Sequence, residues 1–240
     1  MTAGRVIDLN ADLGEGAPGE EALFAAGITS ANLACGGHAG DPETMRAACR
    51  RARARGVAVG AHPGYADRVN FGRRPVALDP GALGELLAGQ LAALATAAAA
   101  EGGAVVHLKP HGALYHYLDT EPAAARVAVA AAAAGLGPGV AIFGPPDGAL
   151  ADAAREVGLR FVPEGFIDRG YRPDGTLIAR GEAGALIEDE ALAVAQALRL
   201  AGAGRVRTLC VHGDGPAAAR LLAAVRVALA AAGFSFSAPA

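Results

Sequence analysis

The chain alternates short strand-like runs with longer helical stretches along its whole length. The seven runs rich in apolar and β-branched residues are VIDLNAD, SANLACG, VAVGAH, AVVHLKPH, VAIFG, FVPEGF and TLCVHGD. Regular alternation of this kind predicts parallel strands joined by right-handed crossovers. We therefore expect an α/β fold whose parallel sheet is either closed as a barrel or wound open with helices on both faces.

The stretches between these runs have the composition of helices, and several are rich in alanine. They cover residues 20–26, 42–55, 80–101, 121–134, 147–157 and 184–201, and a last one follows the seventh run at 216–232. Asp41-Pro42, Asp79-Pro80 and Thr120 before Glu121-Pro122 each offer a capping side chain followed by a proline or an acid, which is typical of helix starts. No linker-like segment divides the chain, so residues 1–240 are predicted to form a single domain.

Two segments interrupt the alternation. The dipeptide Asp174-Gly175 within RGYRPDGTLIAR is a hairpin turn signal, which predicts a small β-ribbon insertion near residues 169–180. Residues 64–78 form a connection longer than a usual strand-to-helix loop, and such loops tend to be lids or binding loops.

The composition argues against several classes of partner. The formal net charge is -3 and the arginines are scattered, which disfavours a nucleic-acid-binding protein. The alanine-rich runs are too short to cross a bilayer, and the N-terminus lacks the pattern of a signal peptide. Cys35, Cys49 and Cys210 lack a C-x-x-C pair and are expected to be reduced thiols. We expect a cytoplasmic protein that binds neither membranes nor nucleic acid.

Polar residues concentrate toward the C-terminal ends of the predicted strands. Asp8, Asn10 and Asp12 lie two residues apart, so a strand would point all three to one face. Later strands end in or near His38, His62, Lys109, His111, Glu164, Asp168, Arg169, His212 and Asp214. Ligands bind at this edge of parallel barrels and open sheets, so these side chains are predicted to share a site. A buried network that only fixes the fold is the alternative, and in either case the acids need cations nearby, such as Lys109 and Arg169.

Several polar residues have a simpler structural interpretation. Asp41 is expected to cap the second helix, and Asp214 either caps the last helix or belongs to the site. His116 lies past its strand and is expected at the surface. His107 begins its strand and is expected to be a hydrogen-bonded core histidine.

Two motifs suggest competing ligands. GEGAPG matches the dinucleotide pattern G-x-G-x-x-G, but Asp12 and Glu15 would repel a pyrophosphate and the second strand lacks an acid for the ribose. The P-loop pattern G-x-x-x-x-G-K-[ST] does not occur in the sequence. Asp12, His38 and His62, one carboxylate and two imidazoles, resemble an open catalytic site for a divalent metal. The same three residues could instead bind an acidic substrate and move protons.

Long stretches of the chain carry a family resemblance. They are DLNADLGEG, ITSANLACGGHAGD, GVAVGAHPGYADRVNFGRR, HLKPHGALYH, EGFIDRGYRPDGTL and VHGDG, between residues 7 and 215. With them the sequence resembles the LamB/YcsF family, whose members are also known as the A subunits of 5-oxoprolinases. The resemblance implies a glycoside hydrolase/deacetylase-like parallel (β/α) barrel of about seven strands. It also implies ATP-dependent opening of 5-oxoproline (pyroglutamate) to L-glutamate, with ATP as co-substrate and two other 5-oxoprolinase subunits as partners.

The sequence departs from the family pattern at three places. Gly37 stands where many relatives carry Phe, FGPPDG differs from the usual turn, and GAGRVR is shorter than the usual connection. The first two leave the acids and imidazoles in place, whereas the shortened connection could alter a contact with a partner.

The resemblance and the chemistry together suggest roles for the site residues. Asp12 or His62 would act as general base on water, a role worth about 10²–10⁴ in rate. Lys109, with His111 or Arg73, would hold the developing oxyanion or a phosphate. Arg169 or Arg74 would pair with the substrate carboxylate. The expected substrate-binding residues are Asp8, Asn10, Arg73, Arg74, Glu164, Asp168, Arg169, His212 and Asp214.

Two other functions stay open on the sequence. The first is a divalent-metal-dependent hydrolase or deacetylase of a carbohydrate or acylated amine, with Asp12, His38 and His62 as ligands. The second is a subunit that only presents substrate to its partners.

Overall fold

A closed ring of seven parallel strands forms the centre of the protein. The computed structural model describes residues 5–239. The strands are β1 (Arg5–Leu13), β2 (Ser30–Ala34), β3 (Ala58–His62), β4 (Val105–Leu108), β5 (Ala141–Gly144), β6 (Arg160–Phe166) and β7 (Thr208–His212). Each strand pairs with its successor in the chain, and β1 pairs with both β2 and β7. The sheet is therefore closed into a barrel. This confirms the barrel that the family resemblance implied.

Helices follow the strands and cover the outside of the ring. They are α1 (Glu20–Ala26), α2 (Pro42–Ala54), α3 (Pro80–Ala100), α4 (Gly112–Thr120), α5 (Pro122–Leu136), α6 (Ala149–Glu156), α7 (Glu190–Gly202) and α8 (Ala218–Ala231). The predicted caps at the starts of α2 and α3 are confirmed, because Asp41 accepts a hydrogen bond from the Thr44 N–H and Asp79 from the Ala82 N–H. The cap predicted at Thr120 was wrong, because α5 begins after Glu121 without a side-chain cap and the Thr120 hydroxyl donates to carbonyls of α4.

Three sequence predictions of the elements were wrong or incomplete. The helix predicted from residue 184 begins at Glu190, because the Asp189 side chain caps it by accepting from the Leu192 N–H. Helix α4 was not predicted, and neither was a short strand β8 (Phe234–Phe236), which pairs in parallel with the first residues of β1, outside the ring.

The predicted ribbon is present as a short hairpin with isolated bridges. Tyr171 pairs antiparallel with Leu177, and Arg169 with Leu186. The turn carries Asp174, whose side chain accepts from the Thr176 N–H.

Both faces of β1 are buried, and they differ in chemistry. Ile7, Leu9, Ala11 and Leu13 belong to the apolar core shared with the helices. The alternate residues Asp8, Asn10 and Asp12 point into the barrel, as the pleat of a strand requires. The interior of this barrel is therefore a polar network, and the apolar core is the layer between strands and helices.

Among the described residues, α3 is the one helix long and apolar enough to cross a membrane by length and composition. Core helices of soluble proteins share this length and composition. In this fold the apolar face of α3, including Leu83, Leu87, Leu91 and Leu94, is buried in the core.

Candidate active site

The closed end of the barrel is occupied by Asp8. Its carboxylate accepts hydrogen bonds from the hydroxyls of Thr29 at 2.5 Å, Ser30 at 2.8 Å and Thr208 at 2.5 Å. Burial raises the pKa of Asp8 to about 6 in spite of these three donors. Because Asp8 pairs in register with the first residue of β7, it lies at the N-terminal end of the strands, away from the mouth.

The middle of the barrel is a hydrogen-bonded layer of two amides and a carboxyl group. Asn10 donates to Glu164 Oε1 at 2.9 Å and accepts from Asn32 Nδ2 at 2.7 Å. The Tyr115 hydroxyl donates to Glu164 Oε2 at 3.1 Å. Burial raises the pKa of Glu164, so this layer favours a protonated or strongly paired acid.

His107 completes this layer, as expected of a hydrogen-bonded core histidine. Its Nε2 is 2.8 Å from Asn32 Oδ1, and its ring stacks on Phe143 with centroids 4.2 Å apart. The ring fills the space beside Gly60, where an added Cβ would lie 1.9 Å from His107 Nε2.

A buried ion pair joins β1 to the end of β4. Lys109 Nζ is 2.8 Å from Asp12 Oδ1, 3.1 Å from Glu164 Oε1 and 2.9 Å from Cys210 Sγ. Burial opposes the charge on Lys109, yet the adjacent acidic groups, first of them Asp12, hold its pKa well above the usual value. Burial likewise opposes ionisation of Asp12, but His62 and Lys109 hold its pKa well below the usual value. Asp12 is therefore a weak base and the counterion of a buried ammonium.

Above this pair, Glu15 projects into the mouth from the turn that follows β1. Gly14 and Gly16 have φ of 74° and 81°, the left-handed region that favours glycine, and this turn directs Glu15 inward. Glu20 Oε1 accepts from the N–H groups of Glu15, Gly16 and Ala17. The backbone N–H groups of the GEGAPG segment therefore already bind the Glu20 carboxylate. They are not available to a dinucleotide phosphate.

Three imidazoles surround Glu15. Its Oε1 is 2.9 Å from His38 Nε2, 3.4 Å from His111 Nδ1 and 3.8 Å from His62 Nε2. His38 stacks on His111 with centroids 3.6 Å apart. Burial lowers the pKa of His38 to about 4 and of His111 to about 2, and that of His62 well below its usual value. Burial, together with the Asp12 charge, raises the pKa of Glu15 to about 8.

Backbone carbonyls fix the tautomers of two of these imidazoles. His62 Nδ1 lies 2.8 Å from the Lys109 carbonyl, and His111 Nε2 lies 2.9 Å from the Phe71 carbonyl. A carbonyl only accepts, so both of these nitrogens donate. Phe71 has a φ of 54°, a strained conformation for a non-glycine residue that directs its carbonyl at His111. The predicted long loop, residues 64–78, thus contributes to the site.

A carboxylate and imidazole pair occupies the opposite side of the mouth. His212 Nδ1 is 3.0 Å from Asp168 Oδ2, and the His212 N–H donates to the same oxygen at 2.9 Å. This contact makes Nδ1 the donor and leaves Nε2 free, 4.0 Å from Asp12 Oδ2. His212 stacks on Phe166, and its side chain is 14% exposed, so it is the imidazole of the site most open to a ligand.

A cavity of about 150 Å³ adjoins this pair. Its lining includes Asp168, His212 and Asp214, and Arg180 and Leu186 from the segment after β6. Within the described residues Arg180 makes no ion pair, so its guanidinium is available to an anion at the mouth.

The predicted arginines lie in different places. Arg169 is buried and donates to the carbonyls of Ala185 at 3.1 Å and Ile178 at 2.7 Å, which fixes the ribbon segment. Arg73 pairs with Asp214 at the rim, and Arg74 is exposed. Asp214 does not cap α8, whose N-cap is Ala217 without a side-chain hydrogen bond.

The structure brings most of the predicted site together and adds residues that the sequence did not reveal. Asp12, His38, His62, Lys109, His111, Glu164, Asp168 and His212 line one interior. The predicted metal set was Asp12, His38 and His62, whereas the ligand atoms that converge come from Glu15, His38, His62 and His111. Sequence reasoning also missed Asn32, Tyr115, Arg180 and Cys210. The only available signal for Glu15 was its position between two glycines.

Comparison with known proteins adds a family to this geometry. The model of the LamB/YcsF family matches residues 7–240. The 5-oxoprolinase A subunit of Methylococcus capsulatus is 46% identical over 250 residues, which cover 98% of this chain and 96% of that protein. The 5-oxoprolinase A subunit of Nocardia farcinica is 46% identical over 247 residues, which cover 95% and 96%.

Solved structures give the same architecture. The lactam utilization protein from Thermus thermophilus is similar with a TM-score of 0.88 and 39% identity, over 97% of this chain and 99% of that one. The catalytic domain of a peptidoglycan N-acetylglucosamine deacetylase from Eubacterium rectale has a TM-score of 0.57 at 11% identity, over 100% and 90%. Likeness at such low identity shows the fold alone.

Proposed function

The chain belongs to the LamB/YcsF family, and from that membership we propose that it is one subunit of an ATP-dependent 5-oxoprolinase. In this function it opens 5-oxoproline (pyroglutamate) to L-glutamate as the hydrolytic part of the enzyme. The observation that carries the proposal is the 46% identity to a 5-oxoprolinase A subunit over 98% of the chain. A match over 98% of the chain spans the segments that form the mouth and the interior of the barrel.

The reaction explains why such a protein works with partners. A lactam is a poor electrophile, and water opens it readily only after its carbonyl oxygen has been activated, for example by phosphorylation. The sequence has no P-loop pattern, so we assign ATP to a step shared with partner subunits. The names of the relatives imply partner subunits, and we propose two of them. We place the enzyme in the cytoplasm, where its three buried free thiols would stay reduced.

We assign the general base to His212. Asp168 holds the donor tautomer at Nδ1, so Nε2 can accept a proton from water at the mouth. Asp12, predicted as a base, serves better as the charge that keeps Lys109 protonated. We assign stabilisation of the developing oxyanion to Lys109, the buried ammonium at the end of β4.

We assign the substrate carboxylate to Arg180 in place of Arg169 or Arg74. The Arg169 guanidinium donates to two backbone carbonyls, whereas Arg180 lines the cavity beside His212. A guanidinium is well suited to a carboxylate because it can donate two parallel hydrogen bonds.

Reconstitution tests the proposed function. The chain is co-purified with two candidate partner subunits, and glutamate release from 5-oxoproline is measured with and without ATP. We expect ATP-dependent release that requires this chain and falls by roughly 10²–10⁴ in His212→Asn. The exposed His116→Asn serves as the matched control. Release by the partners alone at the same rate would refute the assignment.

A metal-dependent hydrolase or deacetylase of a carbohydrate or acylated amine is the second candidate. One observation favours it, the convergence of a carboxylate and three imidazoles at the mouth. This function would release acetate or another acyl group without ATP and would be sensitive to chelators. The same preparation is assayed on acylated sugars without ATP, both in the absence and in the presence of a chelator. Acyl release that the chelator abolishes would favour this second function.

A further inference from the structure

Four metal-binding side chains share one small volume at the barrel mouth. Glu15, His38, His62 and His111 each offer one ligand atom, and these atoms lie within 4.8 Å of one another. The three imidazoles are between 1% and 4% exposed. The residues come from four separate connections or strand ends, so the barrel fold and not local sequence brings them together.

The hydrogen bonds of the two fixed imidazoles leave an electrostatic conflict that a cation would relieve. His62 Nδ1 and His111 Nε2 donate to carbonyls, so in the neutral rings His62 Nε2 and His111 Nδ1 both carry lone pairs. These two atoms face each other at 2.9 Å, and Glu15 Oε1 lies 3.4 Å from His111 Nδ1. Metal-ligating histidines typically donate their second nitrogen to a carbonyl or carboxylate in this way.

The spacing fits a small ion. Ligands about 2.0–2.1 Å from a tetrahedral zinc ion lie about 3.3 Å from one another. The measured separations are 2.9 Å for Glu15–His38, 3.4 Å for Glu15–His111 and 3.8 Å for Glu15–His62, which fall on both sides of that value. All four ligand atoms lie within 4.8 Å of one another, so small inward movements of the side chains would bring them to equal distances from one ion.

We propose that Glu15, His38, His62 and His111 form a binding site for one divalent transition-metal ion, with zinc as the reference ion. Three imidazole nitrogens and one carboxylate oxygen suit zinc and its neighbours better than magnesium or calcium, which prefer oxygen ligands. Bound there, the ion would supply a Lewis acid and an acidified water. Asp12 Oδ2, 3.5 Å from His62 Nε2, lies next to the site and keeps its contact with Lys109 through Oδ1.

The test uses the full chain without a polyhistidine tag. The protein is treated with a chelator, desalted and titrated with Zn²⁺ by calorimetry, with elemental analysis and thermal unfolding in parallel. We expect about one ion per chain and a Tm that rises with zinc concentration, because an ion that binds the folded state stabilises it. Mg²⁺ is expected to give neither effect. A folded chain that takes up no zinc, or that binds Mg²⁺ equally well, overturns the proposal.

Two conservative variants locate the site. Glu15→Gln and His38→Gln keep the size of the side chain or its polarity and are expected to weaken zinc binding by roughly tenfold or more. His116→Gln changes an exposed histidine outside the cluster and is expected to bind like the parent. Circular dichroism of the zinc-free variants confirms that each is folded. Unchanged affinity in both folded cluster variants contradicts the assigned ligands.

The outcome is independent of the proposed reaction. Zinc binding at this site without ATP-dependent glutamate release would support the inference and remove the 5-oxoprolinase function. Glutamate release by a chain that binds no zinc would do the reverse.

Discussion

Asp8 illustrates how burial sets the behaviour of a single carboxyl group. Its oxygens contact three hydroxyls, and burial raises its pKa from 3.8 to about 6. Between these values the folded protein holds a proton on Asp8 that the unfolded chain has lost. Because the folded state then binds more protons, the free energy of unfolding contributed by this group falls as pH rises and levels off above the folded pKa.

Asp8→Asn should therefore change the pH dependence of stability. The contribution at stake is about 3 kcal/mol at most, from the size of the pKa shift. In urea unfolding, the free energy of unfolding of the parent relative to that of Asp8→Asn should fall between about pH 4 and about pH 7. The buried histidines stay in both proteins and cancel in this difference. Parallel curves for the two proteins would mean that Asp8 has an ordinary pKa. Asp119, whose pKa burial also raises to about 6, stays in both proteins and cancels in the comparison.

Arg180 carries the prediction about substrate recognition, which rests on the proposed function. Arg180→Ala in the reconstituted enzyme should lower kcat/KM for 5-oxoproline by about 10–100-fold, since a hydrogen bond to a charged group is worth about 1.5–3 kcal/mol. The loss should appear mainly in KM. Arg74→Ala removes another exposed arginine of the mouth loop and is expected to change kcat/KM little. Equal losses in the two variants would indicate a general effect of positive charge.

The site residues that sequence reasoning identified lie on strands or within a few residues of their C-terminal ends. Asp12 and Lys109 could be placed because period-two alternation fixes the direction of a strand side chain. Arg169 was assigned to a ligand, but its guanidinium binds the backbone of the ribbon, and no pattern in the sequence reports such a partner. Glu15 depends on a glycine turn whose direction is set only by the folded barrel.

Two glycines within the elements should respond in opposite ways to an added methyl group. A matched pair of substitutions to alanine tests this. Gly89 lies inside α3 with no heavy atom within 4 Å of an added Cβ, so Gly89→Ala should stabilise the protein by about 0.5–1 kcal/mol. Gly60 on β3 faces His107, whose ring is held by Asn32 and Phe143, so Gly60→Ala should destabilise it by about 1–3 kcal/mol or more. Urea unfolding of both variants measures the sign of each change in the free energy of unfolding. Destabilisation by Gly89→Ala would contradict this account of α3.

The elements that sequence reasoning missed depend on context beyond local pattern. Helix α4 begins at Gly112, two residues after Pro110, and neither of these residue types favours a helix. Strand β8 has three residues, too short for a periodic signal, and forms because the start of β1 extends beyond its pairing with β7. The start of α7 required knowing that residues 184–189 return to pair with the ribbon.

At the scale of the whole molecule, the alternation of strands and helices predicted a parallel sheet. It did not decide whether that sheet is closed into a barrel. Closure depends on the pairing of β1 with both β2 and β7, a contact between distant parts of the chain. The family resemblance supplied the barrel that local patterns could not. The polar interior followed from the three polar residues of β1, because closing the sheet leaves that face no solvent to point to.

The ion pair of Asp12 and Lys109 crosses this interior and tests what the polar network contributes to the whole barrel. Lys109→Met leaves the Asp12 carboxylate buried without its ammonium, which should cost about 3–5 kcal/mol in urea unfolding. Asp12→Asn/Lys109→Met removes both charges, and Asn at position 12 can still accept from Asn32. The double variant should therefore be more stable than Lys109→Met by at least about 1 kcal/mol, yet the reconstituted enzyme should release no glutamate.

Recovery of stability without activity assigns the pair to the reaction, and recovery of both would remove Asp12 and Lys109 from the mechanism. A double variant no more stable than the single one would show that the two charges do not stabilise each other.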